Sequence, residues 1–401
     1  MKILLVNKFL YPKGGSETYM MNLGRYMQSV GHAVQYFGMD SEERTVCNEV
    51  DSYTLSMDFH NGSFLDKILY SVKTIYSEES RRKIRLVLDD FQPDDCHLNN
   101  FVYQLTPSII LEIVKWRKES GKNCKIVYTA HDLQLVCPNH LMTNPISGEI
   151  CENCLGGKYV NCIKGKCIHG STLKSVVGAT EAWYWNKRKV YENLDFVICP
   201  SKFLADKLSS NPILKNKIIV MHNFIDVQKP ENVIKKDYVL FYGRYSKEKG
   251  IETLLSVADK LPDVKFVFAG QGPLNDEINK RKNIENKGFL SGESLSKLIS
   301  EAVVTVVPSE CPENCPFTVM ESQMYGTPVI GADIGGIPEL IIEGETGELF
   351  ESGSEGQLKI LIETIIKDNV KSVFYSKNCD KVRFDTTEMY FDKLVKLYKQ
   401  I

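Results

Sequence analysis

Two α/β units, each built on a parallel, doubly wound sheet, are what the sequence predicts. Three observations carry this. Short runs rich in β-branched residues alternate with stretches of helical period, the pattern of strand–helix–strand crossovers. The alternation breaks at Asn223–Lys236, a polar stretch containing Pro230, and then resumes. The 401 residues exceed one ordinary core and suit two units of roughly 200 residues each. The expected divisions are 1–222, 223–384 and a terminal helix over 385–401.

In the first half the runs Lys2–Val6, Ala33–Phe37, Asp95–Leu98, Lys125–Thr129 and Phe196–Cys199 read as strands. The first crossover helix is expected over Glu17–Val30. Tyr19, Met20, Leu23, Met27 and Val30 recur there at three- and four-residue steps, and Gly31 ends it. In the second half Tyr238–Tyr242, Lys265–Ala269, Val303–Val307 and Val329–Gly331 read as buried strands. Glu252–Lys260, Glu293–Ser300 and Phe317–Tyr325 read as helices between them. The last helix, Thr387–Ile401, is expected to bury Met389, Phe391, Leu394, Val395 and Tyr398. Ligands of such sheets bind beyond the carboxyl ends of the strands, so a cleft between the two units is the expected site.

Charge and hydropathy narrow the function. Forty-nine basic residues stand against 51 acidic ones, which argues against nucleic acid as the main partner. No apolar run reaches the ~18 residues of a membrane span. The opening MKILLVN soon meets Lys8 and Pro12, so it reads as a first strand rather than a signal peptide, and the expected location is the cytoplasm.

The densest chemistry lies in VPSECPENCPFTVMESQMYGTPVIGADIGGIPE. A strand ends at Val307, and a helix is expected to begin with Pro316 at its first position. The amides of Phe317 and Thr318 then form an anion site at the helix start. Glu313 precedes the helix and Glu321 lies in its second turn, two carboxylates that can accept vicinal sugar hydroxyls. A pair of glutamates eight apart is by itself usually solvated surface. The flanking order of motifs makes the difference.

E-x7-E followed by GTPVI and GGIPEL resembles the donor-site motif of family 4 retaining glycosyltransferases. The likeness runs in order through GGSETYMMNLGRYMQSVGH, HDLQLVCP, CPSKFLADKL, GRYSKEKGIETLL and FAGQGP. It implies the GT-B fold: two Rossmann-like doubly wound domains facing a central cleft, with the C-terminal helix packing back toward the first. It implies a nucleotide-sugar donor and a glycan or polyprenyl-diphosphate-linked acceptor, as in polysaccharide biosynthesis. Carried over by position, Glu313 would hold the donor sugar near the anomeric carbon, Glu321 the ribose, and Arg244 and Lys249 the diphosphate. Phe317, Thr318, Gly270 and Gly15 would complete the donor contacts. Pro316 stands where many members have glycine, which removes one amide from the phosphates and shifts weight to Arg244 and Lys249.

On the acceptor side, Gly14 and Gly15 let the backbone approach a ligand after the first strand, with Ser16 placed to cap the helix. A tight turn without ligand is the plainer reading. His131 ends KIVYTAH, where its side chain is expected to enter the cleft, and the resemblance sets it beside the transferred sugar. Asn99 and Asn100 follow the strand containing His97 at another edge, with Asn100 on the acceptor side and no assigned role. The implied mechanism is front-face substitution without a protein nucleophile. A nucleotide-sugar epimerase, a glycosyl phosphorylase and a silent nucleotide-sugar binding protein are the competing functions.

Two features stand outside this scheme. Cys151, Cys154, Cys162 and Cys167 sit in a polar, glycine-rich insert over 137–170, at spacings that match a structural four-sulfur zinc site, with Cys137 as an alternative ligand. Buried thiols or disulfides are the rivals. Leu65–Leu88 and Ala182–Tyr191 mix basic with apolar or aromatic residues, suited either to an anionic membrane surface or to an ordinary solvated helix.

Overall fold

A computed structural model describes residues 1–56, 73–230 and 233–399. They form two compact units: Met1–His222 with Thr387–Ile401, and Asn223–Thr386. Residues 57–72, which include Lys67, Ile68 and Leu69 of the basic stretch, lie outside the description.

Unit 1 carries strands β1 (Lys2–Val6), β2 (Ala33–Phe37), β3 (Asp95–Leu98), β4 (Lys125–Thr129), β5 (Phe196–Cys199) and β6 (Ile218–Val220). They run parallel in the order β2-β1-β3-β4-β5-β6. Helices α1 (Gly15–Ser29), α2 (Glu78–Phe91), α3 (Ser108–Ser120), α4 (Val160–Lys164), α5 (Thr172–Lys187) and α6 (Lys202–Leu208) belong to the same unit. Central strands are buried nearly throughout, as a sheet covered on both faces requires. Local signals set the helix ends. Ser77 Oγ accepts from Ser80 N–H at 3.0 Å to open α2, and Gly121 at φ +71° closes α3. Helix α1 begins two residues before the expected start, with Gly14 rather than Ser16 at its cap.

Unit 2 carries β7 (Lys236–Tyr242), β8 (Phe266–Ala269), β9 (Ile284–Asn286), β10 (Ala302–Val307), β11 (Val329–Ala332) and β12 (Gly347–Phe350). Its helices are α7 (Ile251–Asp259), α8 (Asn275–Asn279), α9 (Gly292–Glu301), α10 (Phe317–Met324), α11 (Glu355–Lys367) and α12 (Asn369–Cys379). The order β12-β11-β10-β7-β8-β9 is the dinucleotide-fold winding, which reverses between β7 and β10. Unit 1 reverses instead between β1 and β3. At such a reversal neighbouring crossovers leave on opposite faces, and a crevice opens at the strand ends.

The last helix, α13 (Thr387–Tyr398), packs on α1 as part of unit 1. Its buried face is Tyr390, Phe391, Leu394, Leu397 and Tyr398. Met389, expected inside, is 52% exposed. The stripe is rotated because two tyrosines find hydroxyl partners in the core and thereby bury their rings.

Candidate active site

The crevice of unit 2 is bounded by the loops leaving β7 and β10. The first carries Arg244 and a single 3-10 turn, Lys247–Lys249, that closes at Gly250. Gly250 has φ +70°, and a Cβ there would fall 1.8 Å from the Pro308 carbonyl oxygen, so only glycine lets this loop press against the exit of β10. The fit delivers Lys249 to Glu313, and the two form an ion pair. Ser309 Oγ donates to the same Glu313 Oε1 at 2.8 Å. Burial acts to lower the Lys249 ammonium, but the adjoining carboxylate outweighs it and holds the lysine above its ordinary range. Arg244 is exposed and pairs with no carboxylate among the described residues.

Glu313 is fixed from behind by a turn that sequence reasoning quoted as a motif without assigning it work. Gly336 N–H donates to the Glu313 carbonyl at 2.7 Å, and a Cβ on Gly335, φ +63°, would fall 2.3 Å from that oxygen. Pro316 is the N-cap of α10, one position earlier than expected. Val319 N–H makes the first intrahelical bond, to Pro316, so the Phe317 and Thr318 amides precede the ladder. Glu321 follows on the helix. Its carboxyl lies deep, and burial pushes it up to about 7. It borders a cavity of about 520 Å³ lined also by Lys229, Gly292, Glu293, Ser296 and Tyr325. Gly270 packs against the loop that carries Arg244, where a Cβ would fall 1.9 Å from the Gly243 carbonyl oxygen, and its own N–H is donated to the Gly288 carbonyl at 2.8 Å.

The crevice of unit 1 holds Asn7, Gly14, Ser16 and Asn100. Asn7 Nδ2 donates to Glu17 Oε1 at 3.0 Å, Asn7 Oδ1 accepts from Asn100 N–H at 3.0 Å, and Asn100 Nδ2 reaches Ser16 Oγ at 2.9 Å. Gly14 and Gly15 stay exposed at the helix start. One strand over, His131 follows β4, with its Nε2 2.9 Å from Asn99 Oδ1. Burial and the neighbouring His97 push the His131 imidazole down to about 3, so the ring is neutral at working pH. A neutral imidazole can share hydrogen bonds with a hydroxyl but adds no positive charge.

The expected zinc site is not there. Among the described residues no three His, Cys, Asp or Glu side chains gather closely enough to hold a metal ion, and all twelve cysteines are free. Cys154 and Cys162 instead pack with Tyr159, Ala179 and Ala182, and Cys137 Sγ lies 2.8 Å from Asn139 Oδ1. Cys151 and Cys167 are only partly buried at the edge of the same insert. Burial pushes the Cys137 thiol up to about 11 and Cys154 to about 12, so both rest as neutral thiols. The spacing serves packing: these thiols act as small apolar fillers. The insert is tied down by ordinary bonds, including Ile168 N–H to Ser175 Oγ at 3.0 Å and Lys207 to Glu152 at 2.5 Å.

Comparison with known proteins agrees with this architecture. The model of Glycosyltransferase Family 4 matches residues 13–229, and that of Glycosyl transferases group 1 matches residues 224–382. Sulfoquinovosyl transferase SQD2 of Arabidopsis thaliana is 36% identical over 140 residues, 33% of this chain and 27% of that protein. The shared region is thus about a quarter of the plant protein's length. An uncharacterized 42.6 kDa protein in the cps region of Klebsiella pneumoniae is 24% identical over 365 residues, 85% of this chain and 87% of that one. Among solved structures, Anabaena Alr3699/HepE in complex with UDP superposes with a TM-score of 0.68 at 16% identity, covering 100% of both chains. The chain belongs to Glycosyltransferase Family 4 and has the GT-B fold, a parallel α/β sheet in each of its two units.

Proposed function

We propose that the protein transfers a glycosyl group from a nucleoside-diphosphate sugar to a hydroxyl of a glycan or polyprenyl-diphosphate-linked acceptor in polysaccharide biosynthesis, with retention at the anomeric carbon. The observation that carries this is the grouping, within one crevice, of Lys249, Glu313 and the open start of α10, with Glu321 on a cavity beside it. Lys249 and Arg244 meet the diphosphate, whose negative charge grows as the anomeric C–O bond breaks. Glu321 accepts the ribose hydroxyls. Glu313 is paired with Lys249 and hydrogen-bonded by Ser309 at Oε1, which suits it to orient the sugar through Oε2 rather than to attack it. The acceptor oxygen then bonds to the anomeric carbon on the face the phosphate leaves, and its proton passes to the leaving phosphate oxygen. His131 stands near the reacting sugar as a neutral hydrogen-bonding group.

A melting panel of nucleoside diphosphates and their sugars tests this. A ligand at a hundred times its dissociation constant adds about 2.7 kcal/mol of stability. The expected outcome is a clear rise for one base. No shift with any of them would remove the proposal.

We further place the reaction at the cytoplasmic face of the cell membrane. Among the described residues no helix is long and apolar enough to cross a bilayer. Support for a peripheral contact comes from α5, where Leu173 (71% exposed), Val176 and Trp183 (53% exposed) share one stripe and Lys187 lies over the Trp183 ring at 4.7 Å. The protein is expected to co-sediment with vesicles containing anionic lipid at low salt, and Trp183→Ala is expected to weaken this severalfold. Equal recovery with neutral and anionic vesicles would rule against it.

A further inference from the structure

We propose that Asn99 and Tyr19 are positioning residues for His131, and that the C-terminal helix α13 secures Tyr19 through Tyr390. The inference rests on the reading of His131 as a site residue. Thr129 is the last residue of β4, and His131 follows it by two in the loop that leaves the strand. Beneath His131 runs a line of buried polar groups drawn from four segments of unit 1. Tyr398 Oη lies 2.7 Å from His97 Nδ1, His97 Nε2 2.7 Å from Thr129 Oγ1, Thr129 Oγ1 3.2 Å from Tyr19 Oη, and Tyr19 Oη 2.9 Å from Tyr390 Oη. Tyr19 presents its ring to His131 in an edge arrangement, with centroids 5.0 Å apart and planes at 67°.

Asn99 meets the ring at Nε2. Its Nδ2 donates to the Val6 carbonyl at 3.3 Å, which orients the amide so that Oδ1 faces His131 Nε2 at 2.9 Å. The oxygen only accepts, so the imidazole proton sits on Nε2, and the neutral ring carries none on Nδ1. One tautomer and one ring plane are thereby selected. Buried polar lines of this kind add little stability over apolar packing; what they add is a single arrangement.

The test uses the full chain with ring-15N histidine, and nucleoside diphosphate release from the nucleotide sugar that the melting panel identifies. In wild type the His131 nitrogens should report the Nε2–H tautomer. Asn99→Leu should shift the ring toward a mixture of tautomers and lower kcat about tenfold, with donor KM within about twofold. Asn99→Asp, which keeps an oxygen acceptor, should restore the Nε2–H signature. Tyr390→Phe should lower kcat several-fold, again at nearly constant KM. Unchanged ring shifts and unchanged kcat in both Asn99→Leu and Tyr390→Phe would overturn the inference. His131→Ala separates the two claims. If it keeps wild-type kcat, the reading of His131 as a site residue falls. If it loses activity while the other variants do not, only the positioning inference falls.

Discussion

Lys249→Ala is expected to lower kcat/KM by about 10²–10³ and to remove most of the melting shift given by the matching nucleoside diphosphate. The reasoning starts from where the lysine is held. Gly250 locks its loop onto Pro308, and Glu313 keeps the ammonium charged despite burial. A fixed cation of this kind stabilises a departing diphosphate more than the bound donor, so its loss falls on the rate as well as on binding. The same substitution leaves Glu313, with a side chain only 16% exposed, holding Ser309 as its remaining partner at Oε1. A further stability cost of about 1–2 kcal/mol follows, reduced because the lysine is partly exposed. Glu313→Gln and the double variant close a cycle that apportions the two effects. Lys249→Arg should recover part of the rate, since it restores charge without the same reach. A Lys249→Ala enzyme within threefold of wild type would dismiss the diphosphate role.

The second large effect concerns stability. Glu181 on α5 is buried, and its Oε1 has no hydrogen-bond partner among the described residues. Tyr103, Tyr159 and Tyr191 face it and, among the described residues, no cation does, so burial pushes its carboxyl up to about 8. The folded state therefore binds this proton more tightly than the unfolded chain, whose glutamate ionises near 4.5. Its contribution is fully present below that value and is lost as pH rises from there through about 8. Glu181→Gln removes the ionisation. The variant should match wild type within about 1 kcal/mol at pH 4.5 and exceed it by several kcal/mol at pH 9. Denaturant melts at pH 4.5, 7 and 9 decide the matter, and a difference that does not grow with pH would refute it.

How legible the molecule is from sequence varies with the kind of force involved. Ile3–Val6 or Val127–Thr129 announce themselves, because a strand buried on both faces needs a continuous apolar run. β9 (Ile284–Asn286) and β12 (Gly347–Phe350) do not, since three or four residues at a sheet edge are set by register with a neighbour. The different winding of the two sheets is likewise invisible in local pattern. At the site, charges in punctuated loops made Glu313, Glu321 and Lys249 readable. Ser309 and Gly335 were not, because their value comes from what the fold lays against Glu313. The cysteines show the reverse error: spacing suggested chemistry where the thiols supply only volume.

The membership of α13 in unit 1 bears on biosynthesis. Residues 223–386 form a segment spliced into the first unit, and Ile225 N–H donates to the Asp385 carbonyl at 2.9 Å where the chain enters and leaves it. On the ribosome the inserted unit has all its residues first. His97 emerges early yet must wait some 300 residues for Tyr398, its Nδ1 partner. Unit 1 starts earlier in the sequence than unit 2 yet is completed after it, and until then Tyr19 and His97 lack their tyrosine partners from α13.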